Sequence, residues 1–233
     1  MSTPQYFIKP LYVTQPVLPD LKETYKMIEG IWQSKQLSNN GPMVQQLEKE
    51  LEKFLGVKYF SALCNGTAAL QIACKALKLT GEVITTPFTF SATTHSLAWN
   101  NLKPVFCDIE EDTFNINPDL IEPLITRKTS AILPVHVFGN PCDVEKIQQI
   151  ADKHGLKVLY DAAHAFGVKL HGKPIGIFGD ITMFSFHATK VFHTIEGGGL
   201  SCSQAYLKER VDNLRNFGQG EANYPEPGTN AKL

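Results

Sequence analysis

The sequence shows no excess of charge of either sign. It contains 22 lysine and arginine residues against 23 aspartate and glutamate residues, which gives a net charge of −1. Proteins that bind nucleic acid usually present a strongly basic face, so this balance argues against a nucleic-acid partner. Hydrophobic residues make up 43% and charged residues 19% of the 233 positions, which is typical of a globular domain and excludes a disordered chain.

Long apolar runs and paired cysteines are also missing. Pro, Gly, Asp or Lys interrupts every apolar run before it reaches membrane-spanning length, and residues 1–5 carry neither a basic nor an apolar signal segment. Five cysteines, at positions 64, 74, 107, 142 and 202, form no C-x-x-C pair. We therefore expect a cytoplasmic protein that is not inserted in a membrane and whose thiols are reduced and mostly buried.

The chain divides into a short arm and one large domain. Residues 1–19 contain four prolines and no sustained periodicity, which predicts an extended arm lying on a neighbour's surface. Asp20 is a good N-cap for a helix that runs to about Gln36, and a second amphipathic helix is predicted from about Pro42. Residues 20–233 are expected to form the large domain.

Beyond Gly56 short apolar runs alternate with helical stretches. Strands are predicted over 59–63, 82–86, 103–107, 130–136, 157–161, 180–186 and 199–202, and helices over 67–78, 89–99, 118–125, 143–154 and 204–216. Repeated strand–helix–strand units predict a three-layer α/β/α sandwich with a mainly parallel sheet. Ligands of such sheets bind beyond the carboxyl ends of the strands.

Three segments that follow predicted strands carry reactive groups. The turn 65–67 (Asn-Gly-Thr) opens a helix, where backbone amides and the helix dipole favour an anion. Asp161 ends an apolar strand, and Lys190 follows another. Taken singly they also fit a helix cap, a capping carboxylate and a solvated lysine. Together they are the parts needed to hold pyridoxal phosphate, which requires an anion cradle, an acid for the pyridine nitrogen and a lysine for the aldehyde.

Six motifs resemble the DegT/DnrJ/EryC1/StrS family of sugar aminotransferases, which are fold-type I enzymes that use pyridoxal phosphate. The resemblance extends from about Lys22 to the last residue. The motifs are N-G-T-A-A-L at 65–70, T-P-F-T-F-S-A-T at 86–93, P-V-F-C-D-I at 104–109, P-V-H-V-F-G at 134–139, D-A-A-H-A-F-G at 161–167 and S-F-H-A-T-K-V-F-H-T-I-E-G-G at 185–198.

The resemblance implies a role for each site residue. Lys190 carries the cofactor and Asp161 meets its pyridine nitrogen, while Phe90 lies against the ring face. The cofactor phosphate is held by Ser185 and by the backbone amides of Gly66 and Thr67.

His164 departs from the family pattern. It stands where the family usually has Gln near the cofactor's 3-hydroxyl, and imidazole can donate or accept a hydrogen bond there. His187 and His193 flank the lysine without a carboxylate or cysteine at ligand spacing, so we expect no metal site and assign both histidines a supporting role.

The activity implied by the resemblance is transamination. An amino group passes from an amino acid, usually L-glutamate, to the keto group of a nucleotide-linked deoxysugar, with Lys190 as the base that moves the proton. The motifs look most like the enzymes that act on dTDP-4-keto-6-deoxyglucose in the synthesis of surface polysaccharide such as O-antigen.

Three alternatives stay open at this point. One is a sugar 3-dehydratase of the same family, although those enzymes replace the lysine with histidine. Another is a different fold-type I reaction, such as that of a desulfurase or an aldolase. The third is a catalytically inactive, truncated protein that binds the cofactor or a partner.

The resemblance also carries expectations about assembly. Family members share the active site across a homodimer, and the Asn of a G-x-N-x-[RK] motif, here Asn230, reaches the cofactor phosphate of the partner subunit. Family members are well over half as long again as this chain, so a small C-terminal domain is expected to be absent from it.

Overall fold

The computed structural model describes residues 9, 11–219 and 226–233. Nine strands and six helices lie in this part of the chain. The strands are β1 (Phe60–Leu63), β2 (Glu82–Thr85), β3 (Lys103–Phe106), β4 (Thr129–Leu133), β5 (Lys157–Asp161), β6 (Lys169–Leu170), β7 (Lys173–Pro174), β8 (Ile181–Ser185) and β9 (Gly198–Cys202). The helices are α1 (Leu21–Ser34), α2 (Pro42–Leu55), α3 (Gly66–Ala76), α4 (Ser91–Trp99), α5 (Val144–His154) and α6 (Ala205–Arg215).

Seven strands form one twisted sheet in the order β1-β9-β8-β5-β4-β2-β3. Strand β9 pairs antiparallel with both of its neighbours, and the other four pairings are parallel. The prediction of a mainly parallel sheet is therefore confirmed. Strand β5 lies at the centre, so its carboxyl end is flanked by the ends of β4 and β8.

Helices cover both faces of the sheet because the strands are apolar on both sides. In β5, Val158 and Tyr160 pack with α2 and α5, whereas Leu159 packs with α3 and α6 on the opposite face, and all three side chains are fully buried. Continuous apolar runs are typical of parallel strands buried on two faces. The three-layer sandwich predicted from the sequence is the observed fold.

Two local features differ from the predicted elements. Residues 118–125 form two short 3₁₀ turns, Pro118–Leu120 and Glu122–Leu124, in place of one helix. Pro123 cannot donate to the helical ladder and its ring would collide with the preceding turn, so the α-helix does not form. The hairpin β6–β7 was not predicted, because strands of two residues are too short to show a periodicity.

The N-terminal features fit the sequence in part. The Asp20 carboxylate accepts hydrogen bonds from the amides of Lys22 and Glu23, which confirms it as the cap of α1. In the described part of the arm, the Val17 carbonyl accepts a 3.1 Å hydrogen bond from His193 Nε2 of the same chain. Contact of the arm with a neighbouring subunit stays a prediction.

The thiols are free, as expected. All five cysteines are unpaired, and four of them are buried while Cys64 is half-buried. Among the helices that the structure describes, none has the length and apolar character needed to cross a membrane.

Strand β1 is an edge strand whose outward backbone groups are closed by a buried ion pair. Glu48 on α2 accepts a 2.8 Å hydrogen bond from the amide of Ala62, and Arg215 on α6 donates to the carbonyl of the same residue. The Glu48 carboxylate and the Arg215 guanidinium also pair with each other. Unpaired edge strands invite aggregation, so this pair protects the edge and ties the two helix layers together around it.

We expect Glu48→Ala to lower the free energy of unfolding by about 1–3 kcal/mol, because it leaves the Ala62 amide unsatisfied and leaves Asp212 as the remaining carboxylate partner of the Arg215 guanidinium. The measurement is a chemical denaturation curve. Glu50→Ala, an exposed change on the same helix, is the matched control and should stay within about 0.5 kcal/mol of the parent protein. Equal losses in the two variants would contradict the role assigned to the pair.

Candidate active site

The strand ends named in the sequence surround one pocket. Its volume is about 990 Å³, and it opens where β1, β5 and β8 end. Seven of the eight predicted site residues line it: Gly66, Thr67, Phe90, Asp161, His164, Ser185 and Lys190. The eighth, Asn230, does not.

One end of the pocket is built to receive an anion. The Asn65 side chain caps α3 by accepting a 2.8 Å hydrogen bond from the Ala68 amide, so the amides of Gly66 and Thr67 have no partner among the residues described. A Cβ placed on Gly66 would lie 3.2 Å from Ser185 Cβ and 3.5 Å from its hydroxyl oxygen. The glycine therefore lets the serine sit directly beside the helix N-terminus. Asn65 is the cap residue of the turn 65–67, and Thr67 is the second residue of the helix.

Asp161 lies at the floor of the pocket and is 95% buried, with an exposure of 5%. Its Oδ2 accepts a 2.8 Å hydrogen bond from the Thr93 hydroxyl, and its Oδ1 accepts one of 3.0 Å from the Ala163 amide. Burial raises the pKa of the carboxyl, and these two hydrogen bonds together with the charges of His164 and Lys190 oppose that rise. The group is a buried acid whose ionised form depends on its neighbours.

Lys190 and His164 are two further titratable groups that line the pocket. Burial lowers the pKa of the Lys190 ammonium, and the nearby Asp161 charge works in the opposite direction. Burial and the charge of Lys190 lower the pKa of His164 as well. Both changes favour the neutral forms, which are the forms able to act as nucleophile or base.

Aromatic side chains surround the mouth of the pocket. Phe90 precedes α4 and is 75% exposed. Phe88 stacks on Phe114 with ring centroids 5.4 Å apart, and Phe138 meets both rings edge-on. Phe138 also lies nearly parallel to the His164 ring at 6.3 Å. Of these aromatic residues only Phe90 was predicted from the sequence, although Phe88 lies in the motif at 86–93 and Phe138 in the motif at 134–139.

Thr89 and Thr93 were missed as well. Their hydroxyl oxygens are 2.8 Å apart, and Thr93 contacts Asp161. They lie four residues apart, but Thr89 precedes the cap residue of α4, so helical spacing does not account for their contact.

Asn230 lies at the surface, outside this chain's pocket. The segment 229–232 is held by hydrogen bonds from the Thr229 amide to the Leu214 carbonyl and from the Ala231 amide to the Arg215 carbonyl, each 2.9 Å long. The Asn230 side chain is exposed. Pro225, in the segment that precedes Asn230, lies outside the described residues.

The two histidines near Lys190 have local partners. His187 Nδ1 lies 2.8 Å from the Thr189 hydroxyl, and its Nε2 lies 3.5 Å from Glu196. His193 contacts the arm at Val17. Within the described ranges no three His, Cys, Asp or Glu residues cluster as they would around a metal ion.

This chain is similar to several known proteins. A protein of Shigella dysenteriae, dTDP-4-amino-4,6-dideoxy-D-glucose transaminase, is 54% identical over 97% of this chain and 62% of its own length. The crystal structure of DesI in the presence of its TDP-sugar product superposes with a TM-score of 0.94 at 42% identity, covering 99% of this chain and 59% of that one. The structure of ntda from Bacillus subtilis with bound cofactor PMP gives a TM-score of 0.83 at 30% identity, covering 98% of this chain and 55% of that one.

The chain thus spans less than two thirds of the length of these relatives. The profile of the DegT/DnrJ/EryC1/StrS aminotransferase family matches residues 20–233. The match covers the whole sheet, both helix layers and the pocket, and the chain belongs to the DegT/DnrJ/EryC1/StrS aminotransferase family.

Proposed function

We propose that this protein is a pyridoxal-phosphate-dependent transaminase that moves an amino group from L-glutamate to the keto group of dTDP-4-keto-6-deoxyglucose. The observation that carries the proposal is the convergence of Lys190, Asp161 and the turn 65–67 on one pocket. Each of these features, taken alone, also fits a purely structural role. The three together match the groups that pyridoxal phosphate requires.

The residues present fit the cofactor. A phosphate at the N-terminus of α3 would find three hydrogen-bond donors: the amides of Gly66 and Thr67 and the hydroxyl of Ser185. The buried carboxylate of Asp161 would pair with a protonated pyridine nitrogen. Lys190, with a lowered pKa, offers an amine to the aldehyde. When bound, pyridoxal phosphate supplies the electron sink that makes a Cα proton of the amino acid acidic.

The chain's own residues would then move protons and exclude water. Lys190 would be the base that takes the Cα proton of the amino acid onto its Nζ and later gives that proton up. His164 would hydrogen-bond the ring hydroxyl, and Phe90 would cover the ring face. A pocket that is apolar on one side and holds a few placed polar groups suits such a reaction.

The substrate part of the proposal is supported by the relatives. The Shigella dysenteriae protein bears the name of a dTDP-4-amino-4,6-dideoxy-D-glucose transaminase, and DesI was solved with a TDP-sugar product. Surface polysaccharide such as O-antigen, made from precursors in the cytoplasm, is the pathway class that we propose.

The remaining rivals are weaker on specific grounds. A sugar 3-dehydratase of the family would carry histidine at the position of Lys190. No cysteine stands in an exposed glycine-rich loop as sulfur transfer would require, because four of the five are buried and Cys64 is half-buried. A protein that binds the cofactor without turnover is the alternative that the experiments below separate from a transaminase.

We also propose that the protein works as a homodimer. On α1 the side chains of Leu21, Tyr25, Ile28 and Trp32 share one stripe, and each is between 44% and 76% exposed. An exposed apolar stripe of this kind is typical of an interface, and α1 of a second copy of the chain would bury it. Asn230, exposed and outside its own pocket, is then free to reach the partner's cofactor phosphate.

The Lys190 assignment can be tested by reduction. Borohydride treatment of the protein loaded with pyridoxal phosphate should fix a pyridoxyl group on Lys190, and Lys190→Ala should lose both the label and turnover. Peptide mapping by mass spectrometry locates the label. Lys169→Ala, on the exposed β6, should be labelled and active like the parent. A label on any other lysine would refute the assignment.

The substrate can be tested by product analysis. The protein, supplied with L-glutamate, should aminate dTDP-4-keto-6-deoxyglucose at C4, and NMR of the product identifies the position. Parallel reactions contain the dTDP-3-keto isomer and the corresponding UDP and GDP sugars. Amination at C3 alone, or only of a UDP or GDP sugar, would overturn this part of the proposal while leaving transamination intact.

Sharing of the site can be tested with mixed dimers. Lys190→Ala and Asn230→Ala homodimers should each be defective, the second through weaker phosphate retention. When the two variants are coexpressed with different tags, a heterodimer contains one site with an intact Lys190 and, from its partner, an intact Asn230. That site should regain parental cofactor affinity and about half the parental activity. Affinity that stays weak in the heterodimer would place Asn230 in its own subunit's site.

A further inference from the structure

Two threonine hydroxyls form a hydrogen-bond chain that ends on the Asp161 carboxylate. Thr89 Oγ1 and Thr93 Oγ1 are 2.8 Å apart, and Thr93 Oγ1 is 2.8 Å from Asp161 Oδ2. Thr89 lies on the pocket wall, whereas Thr93 is fully buried on the first turn of α4. The chain therefore runs from the pocket to the hidden side of the carboxylate.

The direction of the chain follows from proton counting. A hydroxyl has a single proton to donate, and the ionised carboxylate can only accept, so the Thr93 proton points at Asp161. Thr93 is then an acceptor towards Thr89, whose proton must point at Thr93. Both O–H dipoles are aligned towards the negative charge, and aligned hydrogen bonds strengthen one another in a low-dielectric interior.

Few other groups compensate the buried charge. The only other hydrogen bond to the carboxylate, among the described residues, comes from the Ala163 amide at 3.0 Å. The titratable groups that act on Asp161 are His164 and Lys190, and neither forms an ion pair with it in the described part of the chain. On the far side, the backbone amide of His136 binds the Asp161 main-chain carbonyl and not the carboxylate.

We propose that Thr93, with Thr89 behind it, is a positioning residue that keeps Asp161 ionised and holds its carboxylate in one orientation towards the pocket. The chain itself follows from the geometry, and only its use in catalysis rests on the proposed function. Burial raises the pKa of Asp161, and the Thr93 hydrogen bond lowers it. An Asp161 that took up a proton could no longer pair with a protonated pyridine nitrogen, so the threonine would protect the acid on which the cofactor depends.

The test measures the carboxyl directly in the cofactor-free protein. The Asp161 ¹³Cγ resonance is identified by its loss in Asp161→Asn and is titrated by NMR. We expect Thr93→Val, which keeps the shape and removes the hydroxyl, to raise the pKa of Asp161 by about one pH unit or more. Thr89→Val should give a smaller rise, because it removes only the second donor. Thr93→Ser should restore the parental titration.

Ser96→Ala is the matched control. Ser96 is also fully buried on α4, but its hydroxyl donates to the Ala92 carbonyl at 2.7 Å and makes no contact with Asp161. Ser96→Ala should leave the Asp161 titration unchanged even if the variant is less stable than the parent protein. With cofactor present, Thr93→Val should bind pyridoxal phosphate several-fold more weakly at neutral pH, and the difference should shrink as the pH is raised.

An unchanged Asp161 titration in both Thr93→Val and Thr89→Val would overturn the proposal. A shift of equal size in Ser96→Ala would also overturn it, since the effect would then be a general loosening of α4. The titration needs no sugar and no turnover. If the pKa shifts as expected but no sugar is aminated, the hydrogen-bond chain stands and the proposed function fails.

Discussion

Burial of one carboxylate sets the main constraint on this structure. Asp161 ends the central strand β5 at a point where both faces of the sheet are covered by apolar side chains. Removing a carboxylate from water is costly unless it is hydrogen-bonded or paired. The amide of Ala163 and the hydroxyl of Thr93 supply the hydrogen bonds, so the turn after β5 and the start of α4 are both fixed by the same charge.

The sheet order explains why the other site groups meet there. Because β4 and β8 flank β5, the loop that carries Phe138 and the loop that carries Lys190 leave the sheet on either side of Asp161. The pairing with β5 continues beyond the end of β4, because the Asp161 amide donates to the Pro134 carbonyl and the His136 amide donates to the Asp161 carbonyl. Main-chain hydrogen bonds alone thus fix the position of the Asp161 backbone at the floor of the pocket.

The sequence was sufficient for the fold and most of the pocket for a physical reason. Apolar runs such as 157–161 are long and continuous, and residues at their carboxyl ends must share one edge of a parallel sheet. The Thr93 contact was missed because it joins residues 68 positions apart in the chain. The ion pair of Glu48 with Arg215 was also missed, and these residues lie 167 positions apart. A pattern of apolar residues does not indicate which charged residues are buried as a pair. The 3₁₀ turns near Pro118 show local proline chemistry overriding a helical pattern.

The turn 65–67 is held in place by contacts with neighbouring segments of the chain. A Cβ on Gly198 of β9 would lie 2.6 Å from the backbone of Asn65 and of Gly66, so β9 presses directly against the turn. On the other side, the Cys64 amide donates to the Ala231 carbonyl at 3.0 Å, and Leu63 is bridged to Lys232. The segment next to Asn230 therefore clamps the chain just before the turn. We have proposed that Asn230 reaches the phosphate in the partner's site and that the turn 65–67 holds the phosphate in this subunit's own site. In such a dimer these two features would be parts of one rigid unit. Loss of that segment's docking would then disturb both sites at once.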